Sequence, residues 1–493
     1  MRKPVLKLSK EKKRKEGESV MEEAKRDYAN NPDLGDQKLM MQGTVPLDGT
    51  DFMALVGPDG AVIPYEFTGW KEEVNAWVDS AYLGAAISDQ WFPSVVKGPG
   101  ATEFLSRIFV NRFDNAPIGK SKHGLILNEK GHIISDGIIL RRVDEEWLLT
   151  CVSQVVEPLL RMFQDKGEFT EVEHIDLNGK LCLYQVGGPR SLEILEATSG
   201  ENLHDIGYLH FRDAQIAGHT VSVFRMGMAG TLSYEVHVDT EYCKEVYEAI
   251  WKAGQKYNMK KLGYHAYMMN HTENGFPQYM LHFDNAYEEC SEAFKEKFLQ
   301  YSPYFDFLMH GPENMGSDPD HNVFYVSPYD IGWGYLVNFN HDFIGKDAAW
   351  EAKNSRHRKM VTLEWNAEDI ADVFRSQYAG GTPYKPMDNA NDYLMHNCFA
   401  GYYRMCADRV EADGKQIGVS TGRGEIVHYH TMISLCSIDP EYAEIGTEVK
   451  VIWGNKNYPE KEIRAKVAPF PYLKETLNGD YDVSKVPFGF EKR

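Results

Sequence analysis

The chain reads as an α+β protein carrying a separate all-β module over residues 355–473. Three observations lead there. Strands and helices interleave without the long βαβ series of a doubly wound sheet. A short apolar run, a Gly-Pro turn and a helix occur together twice, as "SVVKGPGATEFLSRIF" and "LCLYQVGGPRSLEILEAT", a hint of internal duplication. The region 355–473 alternates β-type runs with glycine turns, as in "KQIGVSTGRGEIVHYHTMISLCSID" and "GTEVKVIWG", the pattern of a small barrel or sandwich.

Residues 1–30 come first, with ten Lys/Arg against six Asp/Glu and almost no apolar side chain, and read as a solvated charged segment. They lack the apolar core of a signal peptide and are too acidic for a transit peptide, so a cytoplasmic protein is expected. In "FTGWKEEVNAWVDSAYLGAAIS" the apolar residues Val74, Trp77 and Val78 recur at helical spacing. Phe104, Leu105 and Ile108 do the same in the first Gly-Pro unit. Residues 124–151 form β-rich runs broken at Glu-Lys-Gly, Asp-Gly and Asp-Glu-Glu, which predicts an antiparallel meander. The helix of the second Gly-Pro unit closes at Gly200. A strand containing Glu235 leads into a helix over 240–257, with Cys243, Val246, Ile250 and Ala253 on one face behind a cap at Asp239 or Thr240.

With 493 residues, two to four domains are expected, and no apolar run approaches the roughly 18 residues of a membrane span. The net charge of −20 argues against nucleic acid as a partner. Seven scattered cysteines without a CxxC pair suit a reducing compartment and offer no zinc or iron–sulfur ligand set. His428 and His430 in "HYH" share a strand face at metal-compatible spacing, but no acid or cysteine stands near them in sequence, so no metal is expected.

Eight stretches stand in a fixed order: "VVKGPGATEFL", "GHIISDGII", "QVGGPRSLEIL", "RMGMAGTLSYEV", "SPYDIGWGYLVNFNHDFIGKDA", "IGVSTG", "SIDPEYAEIGTEVKVIWG" and "VAPFPY". Together they resemble the tetrahydrofolate-binding aminomethyltransferase (glycine cleavage T-protein) superfamily from about residue 60 to 472. "GYLVNFNHDFIGKDAAWEA" followed by "KMVTLEWNAEDIADVF" is most similar to its tetrahydrofolate-dependent O-demethylases of vanillate-type methoxyarenes. The resemblance implies three lobes around a central folate channel. Behind a charged tail (1–35), these would be a folate-binding core lobe (36–90 and 182–345) with an aromatic-rich insertion (276–327), a second α+β lobe (91–181), and a C-terminal β-barrel (355–473). It also implies tetrahydrofolate as methyl acceptor and a small methoxyarene as partner, and leaves the oligomeric state open.

Site residues follow from the matched positions. A pterin presents a ring N–H beside an amino N–H, and an ionised carboxylate accepts such a pair through two parallel bonds. Glu235 falls where the family's pterin-binding acid falls, with Arg225 beside it and Gly227 and Gly230 letting backbone approach a flat ring. The alternative is a strand glutamate facing solvent or paired with Arg225. Asp136 matches the family's acid near the reactive end of the folate, though Ser135 replaces a second acid; otherwise it is an Asp-Gly turn residue. In "KKLGYHAYMMNHTENGF" the Arg-Asp signature of aminomethyltransferases is missing, and Tyr267 coincides with a tyrosine of the O-demethylases. A tyrosine of ordinary pKa, about 10, matches a departing phenol in acidity and suits a proton donor. The substrate side departs from the family: Gln90 and Trp91 stand where a His-rich stretch would be, and no arginine stands near Ser153 to grip a carboxylate. Substrate contacts then fall to Gln90, Trp91, His265 or His271, with Arg161 a further option. The aromatic-rich 276–327 segment would serve as a lid or an oligomer contact. Competing functions are aminomethyl transfer, N- or S-demethylation, and non-enzymatic folate binding.

Overall fold

The computed structural model of the chain describes residues 53–56, 62–85, 92–151, 153–228, 230–301, 313–387 and 404–490. The expectations placed on the charged tail and on Gln90 and Trp91 lie outside the described residues.

Two sheets and a barrel organise the molecule. A six-stranded sheet runs in the order Phe211–Ile216, His219–Phe224, Ser233–Asp239, Leu181–Gly187, Tyr82–Gly84 and Lys260–Leu262, antiparallel except at the last pair. A five-stranded antiparallel sheet runs in the order Ser121–Leu127, Ile133–Val143, Glu146–Leu149, Ser94–Lys97 and Glu173–Asp176. The two Gly-Pro units therefore occupy different sheets, feeding the helices Ala101–Ile108 and Ser191–Ser199. Beyond them six strands between Lys359 and Ala468 close into a barrel.

The helix expected over 240–257 is a 3₁₀ turn, Thr240–Tyr242, an α-helix, Cys243–Gly254, and a second 3₁₀ turn, Gln255–Tyr257. No capping bond comes from Asp239 or Thr240; Val246, Tyr247 and Ile250 hold the helix by packing into the core beneath the six-stranded sheet. The meander differs at one point. Asp136 and Gly137 form no turn: they lie inside the continuous strand Ile133–Val143, opposite Leu125 and Gly124, because pairing with the strand Ser121–Leu127 overrides the local turn preference.

The aromatic-rich insertion packs as core where it is described. Tyr287 and Phe298 are buried among Phe104, Leu159 and Leu160, and the helix Glu292–Tyr301 lies on Ser153–Gln164. After the barrel the chain returns to the six-stranded sheet. The Arg225 guanidinium donates to the carbonyls of Asn478 (2.8 Å) and Tyr481 (2.9 Å), and the Asn478 side chain donates to Ser233 O at 3.0 Å.

Candidate active site

Glu235 sits in the middle of the six-stranded sheet, facing Phe224 on one neighbour and Gln185 on the other. Ser233 through Val238 are all buried, so the strand is covered on both faces and Glu235 is only 4% exposed. A carboxylate so placed needs polar company. His237, two residues on and on the same face, brings Nε2 to 3.2 Å from Glu235 Oε2. Arg225 supplies no salt bridge, being turned to the C-terminal segment. The preceding turn takes its shape from glycine. Gly230 has φ 75°, and a Cβ there would lie 2.3 Å from Asn274 Oδ1; a Cβ on Gly227 would lie 2.1 Å from Ser233 Oγ.

The helix Tyr264–Glu273 brings the second group. Its start is held by the buried Glu73 carboxylate, which accepts from Gly263 N (2.7 Å) as well as Phe67 N (2.6 Å) and Thr68 N (2.9 Å). Tyr264, Tyr267 and His271 share one helix face, with Tyr267 and His271 in edge contact at 5.3 Å. Burial pushes the Tyr267 hydroxyl well above its ordinary value, and Cys151, Tyr264, Glu235 and Tyr82 add to the shift as electrostatic neighbours. The ordinary acidity assumed from sequence does not hold: Tyr267 stays protonated. Burial also takes His271 down to about 3, so its imidazole is neutral. His265 points to the other side of the helix, with Nδ1 2.8 Å from Glu66 Oε1 and its ring stacked on Tyr65. Arg161 is ion-paired with Glu157 on the helix surface.

Asp136 joins the group through neighbours. Its Oδ2 lies 2.9 Å from His123 Nε2, and the Cys151 thiol lies within electrostatic reach of both Asp136 and Glu235. A cavity of about 890 Å³ opens beside the glycine turn, lined by His123, Met226, Gly227, Met228, Asn274 and Phe276. Towards the exposed Tyr335 and Trp350 it carries Arg112, Lys120, Lys122 and Lys353, and no acidic side chain lines it. In a chain of charge −20, such an opening favours an anionic ligand.

Sequence reasoning missed His123, Cys151, Tyr82 and Asn270. Tyr82 is fully buried beside Glu235, and its hydroxyl, like the Asn270 amide, has no hydrogen-bond partner among the described residues. His123 lies opposite Ile138, hence diagonal to Asp136 on one face, but only because a bulge between Ile126 and Leu127 shifts the register by one from what the 129–131 turn would set. His428 needs correcting too. It sits in the 3₁₀ turn Val427–Tyr429, not on a strand face, and the fold does supply acids: Glu273 Oε1 is 2.8 Å from its Nε2, and Glu475 is close by.

Comparison with known proteins agrees with this architecture. Residues 63–292 match the family described as the GCVT N-terminal domain. The sesamin methylene transferase of Sinomonas sp. (strain No.22) is 39% identical, over 86% of this chain and 93% of that protein. The syringate O-demethylase of Sphingobium sp. (strain NBRC 103272 / SYK-6) is 30% identical, over 85% and 92%. Among solved structures, glycine cleavage system aminomethyltransferase T from Bartonella henselae superposes with a TM-score of 0.61 at 17% identity, covering 87% of this chain and 96% of that one. The chain belongs to the glycine cleavage T-protein superfamily, in the branch that holds the O-demethylases. It has the aminomethyltransferase fold, and it is a transferase of that family.

Proposed function

We propose that the protein is a tetrahydrofolate-dependent O-demethylase that moves the methyl group of a methoxyarene to N5 of tetrahydrofolate, releasing a phenol. The observation that carries this reading is the buried Glu235 carboxylate, on the strand that follows Gly227 at the cavity wall and within electrostatic reach of a protonated Tyr267.

The residues present fit a reduced pterin. Glu235 would accept its paired N–H groups, Gly227 and Gly230 would let backbone close on the ring, and the cationic end of the cavity suits the acidic tail. When bound, the folate supplies the secondary amine that receives the carbon. Tyr267 offers its O–H to the departing oxygen, and the buried surroundings exclude water and strengthen that bond. Holding donor and acceptor in register contributes on the order of 7–11 kcal/mol. His271, neutral and beside Tyr267, is the substrate-side candidate best supported by position; His265 and Arg161, engaged elsewhere, are poorer ones.

A second reading rests on the 39% identity to a methylene transferase: the carbon delivered would be the bridging methylene of a methylenedioxyarene, leaving a catechol. One experiment tests both. Tetrahydrofolate is incubated anaerobically with the enzyme and guaiacol, vanillate, syringate, a methylenedioxyarene or dimethylglycine, and the folate is analysed by mass spectrometry. Methyl-folate supports the first reading and methylene-folate from the methylenedioxyarene the second; an unchanged folate pool in every arm refutes both.

A further inference from the structure

We propose that His123, oriented by Asp136, is a catalytic residue that accepts the proton lost by the acceptor amine, an inference that rests on the folate reading above. The transfer itself demands such a group. The carbon–oxygen bond breaks with its electron pair on oxygen, and a carbon–nitrogen bond forms from the amine lone pair. Oxygen must gain one proton and nitrogen must shed one, with no oxidant or reductant involved. Tyr267 serves the oxygen. Until Tyr267 has given up its proton it can take no second one, so a separate acceptor is what lets the nitrogen shed its proton as the carbon–nitrogen bond forms.

His123 is placed for that role. It lines the same cavity as Gly227 and Met228, while Asp136, its partner, does not. Its ring is fixed on two sides, perpendicular to Trp333 at 4.7 Å and tilted against Phe276 at 5.3 Å. The Asp136 carboxylate, 2.9 Å from Nε2, holds the proton on that nitrogen and leaves Nδ1 with the free lone pair. Both side chains are largely buried, 10% and 18% exposed, so the pair is a formed site rather than a solvated surface contact. The proton leaves His123 to solvent along the cavity, and a proton from solvent restores the Tyr267 hydroxyl, so the cycle is proton-neutral overall.

The test combines ¹⁵N imidazole spectroscopy on the unliganded protein, tetrahydrofolate binding, and turnover. His123→Gln assigns the His123 signal by its loss. The wild-type spectrum is expected to show the Nε2–H tautomer, and Asp136→Asn to convert it to a mixture. His123→Gln is expected to lower kcat by on the order of 10²–10⁴ while tetrahydrofolate affinity stays within about threefold, and added imidazole to restore part of the rate of His123→Gly. An Nδ1–H tautomer in the wild type, or His123→Gln turning over within about threefold, overturns the assignment and leaves the folate reading standing. A wild-type protein that binds no tetrahydrofolate overturns both.

Discussion

Replacing Glu235 by Gln separates ligand binding from folding. Hydrogen bonds to a charged acceptor contribute about 1.5–3 kcal/mol each. The amide keeps one acceptor and turns an N–H towards the other donor of the pterin edge, so one charged bond is lost and one donor is left facing a donor. About 3 kcal/mol is forfeited, which raises the tetrahydrofolate Kd on the order of 10²-fold. Stability should move the other way or not at all. Glu235 is 4% exposed in the centre of a sheet, and glutamine keeps its shape while removing a buried charge. Anaerobic calorimetric titration reads the affinity and differential scanning fluorimetry the melting temperature. A variant that melts normally and binds within threefold of wild type would refute the assignment of Glu235 to the ligand. A variant that loses binding only because it melts early would refute the argument that the charge is not needed for folding.

Tyr267→Phe should cut turnover on the order of 10²–10⁴ in a coupled demethylation assay while leaving folate affinity unchanged. Because burial holds the Tyr267 hydroxyl well above its ordinary value, the wild-type rate should show no alkaline loss from this group below about pH 10, which a pH–rate profile checks. Gly230→Ala puts a Cβ at φ 75° within 2.3 Å of Asn274 and Leu473 side-chain atoms; strain of about 1–2 kcal/mol should lower the melting temperature, and the displaced turn should weaken folate binding. For His428 burial pulls downward, but the Glu273 carboxylate outweighs it and the net shift is upward. Stability from this group is complete below its unfolded value near 6.5 and is lost as pH rises through the folded one, so melting temperature should decline on the alkaline side and His428→Gln should flatten that slope.

The parts legible in the sequence are those whose signal is local. Gly-Pro turns before helices, alternating barrel strands, and an acid flanked by glycines are each written within about a dozen residues, and their order identified the superfamily. What stayed hidden depends on distant partners. Asp136-Gly137 has the composition of a turn, and only pairing with Leu125 and Gly124 makes it strand interior. Arg225 stands near Glu235 in sequence, yet its guanidinium is taken by carbonyls some 250 residues later. His428 reads as isolated because Glu273, on the helix Tyr264–Glu273, is far from it in sequence, and His265 reads as a site residue until the helix turns it towards Glu66. Tyr267 was located from its motif, but its acidity depends on how deeply the fold encloses it.

The return of the C-terminal segment sets an order of events in biosynthesis. Asn478 N–H donates to Gly230 O at 2.8 Å and its side chain to Ser233, so the glycine turn is braced by a residue far downstream in the chain. While residues 474–486 are still in the ribosomal tunnel, that turn lacks its brace and Arg225 lacks its carbonyl partners. A nascent chain that has not yet extruded this segment therefore cannot complete the pocket.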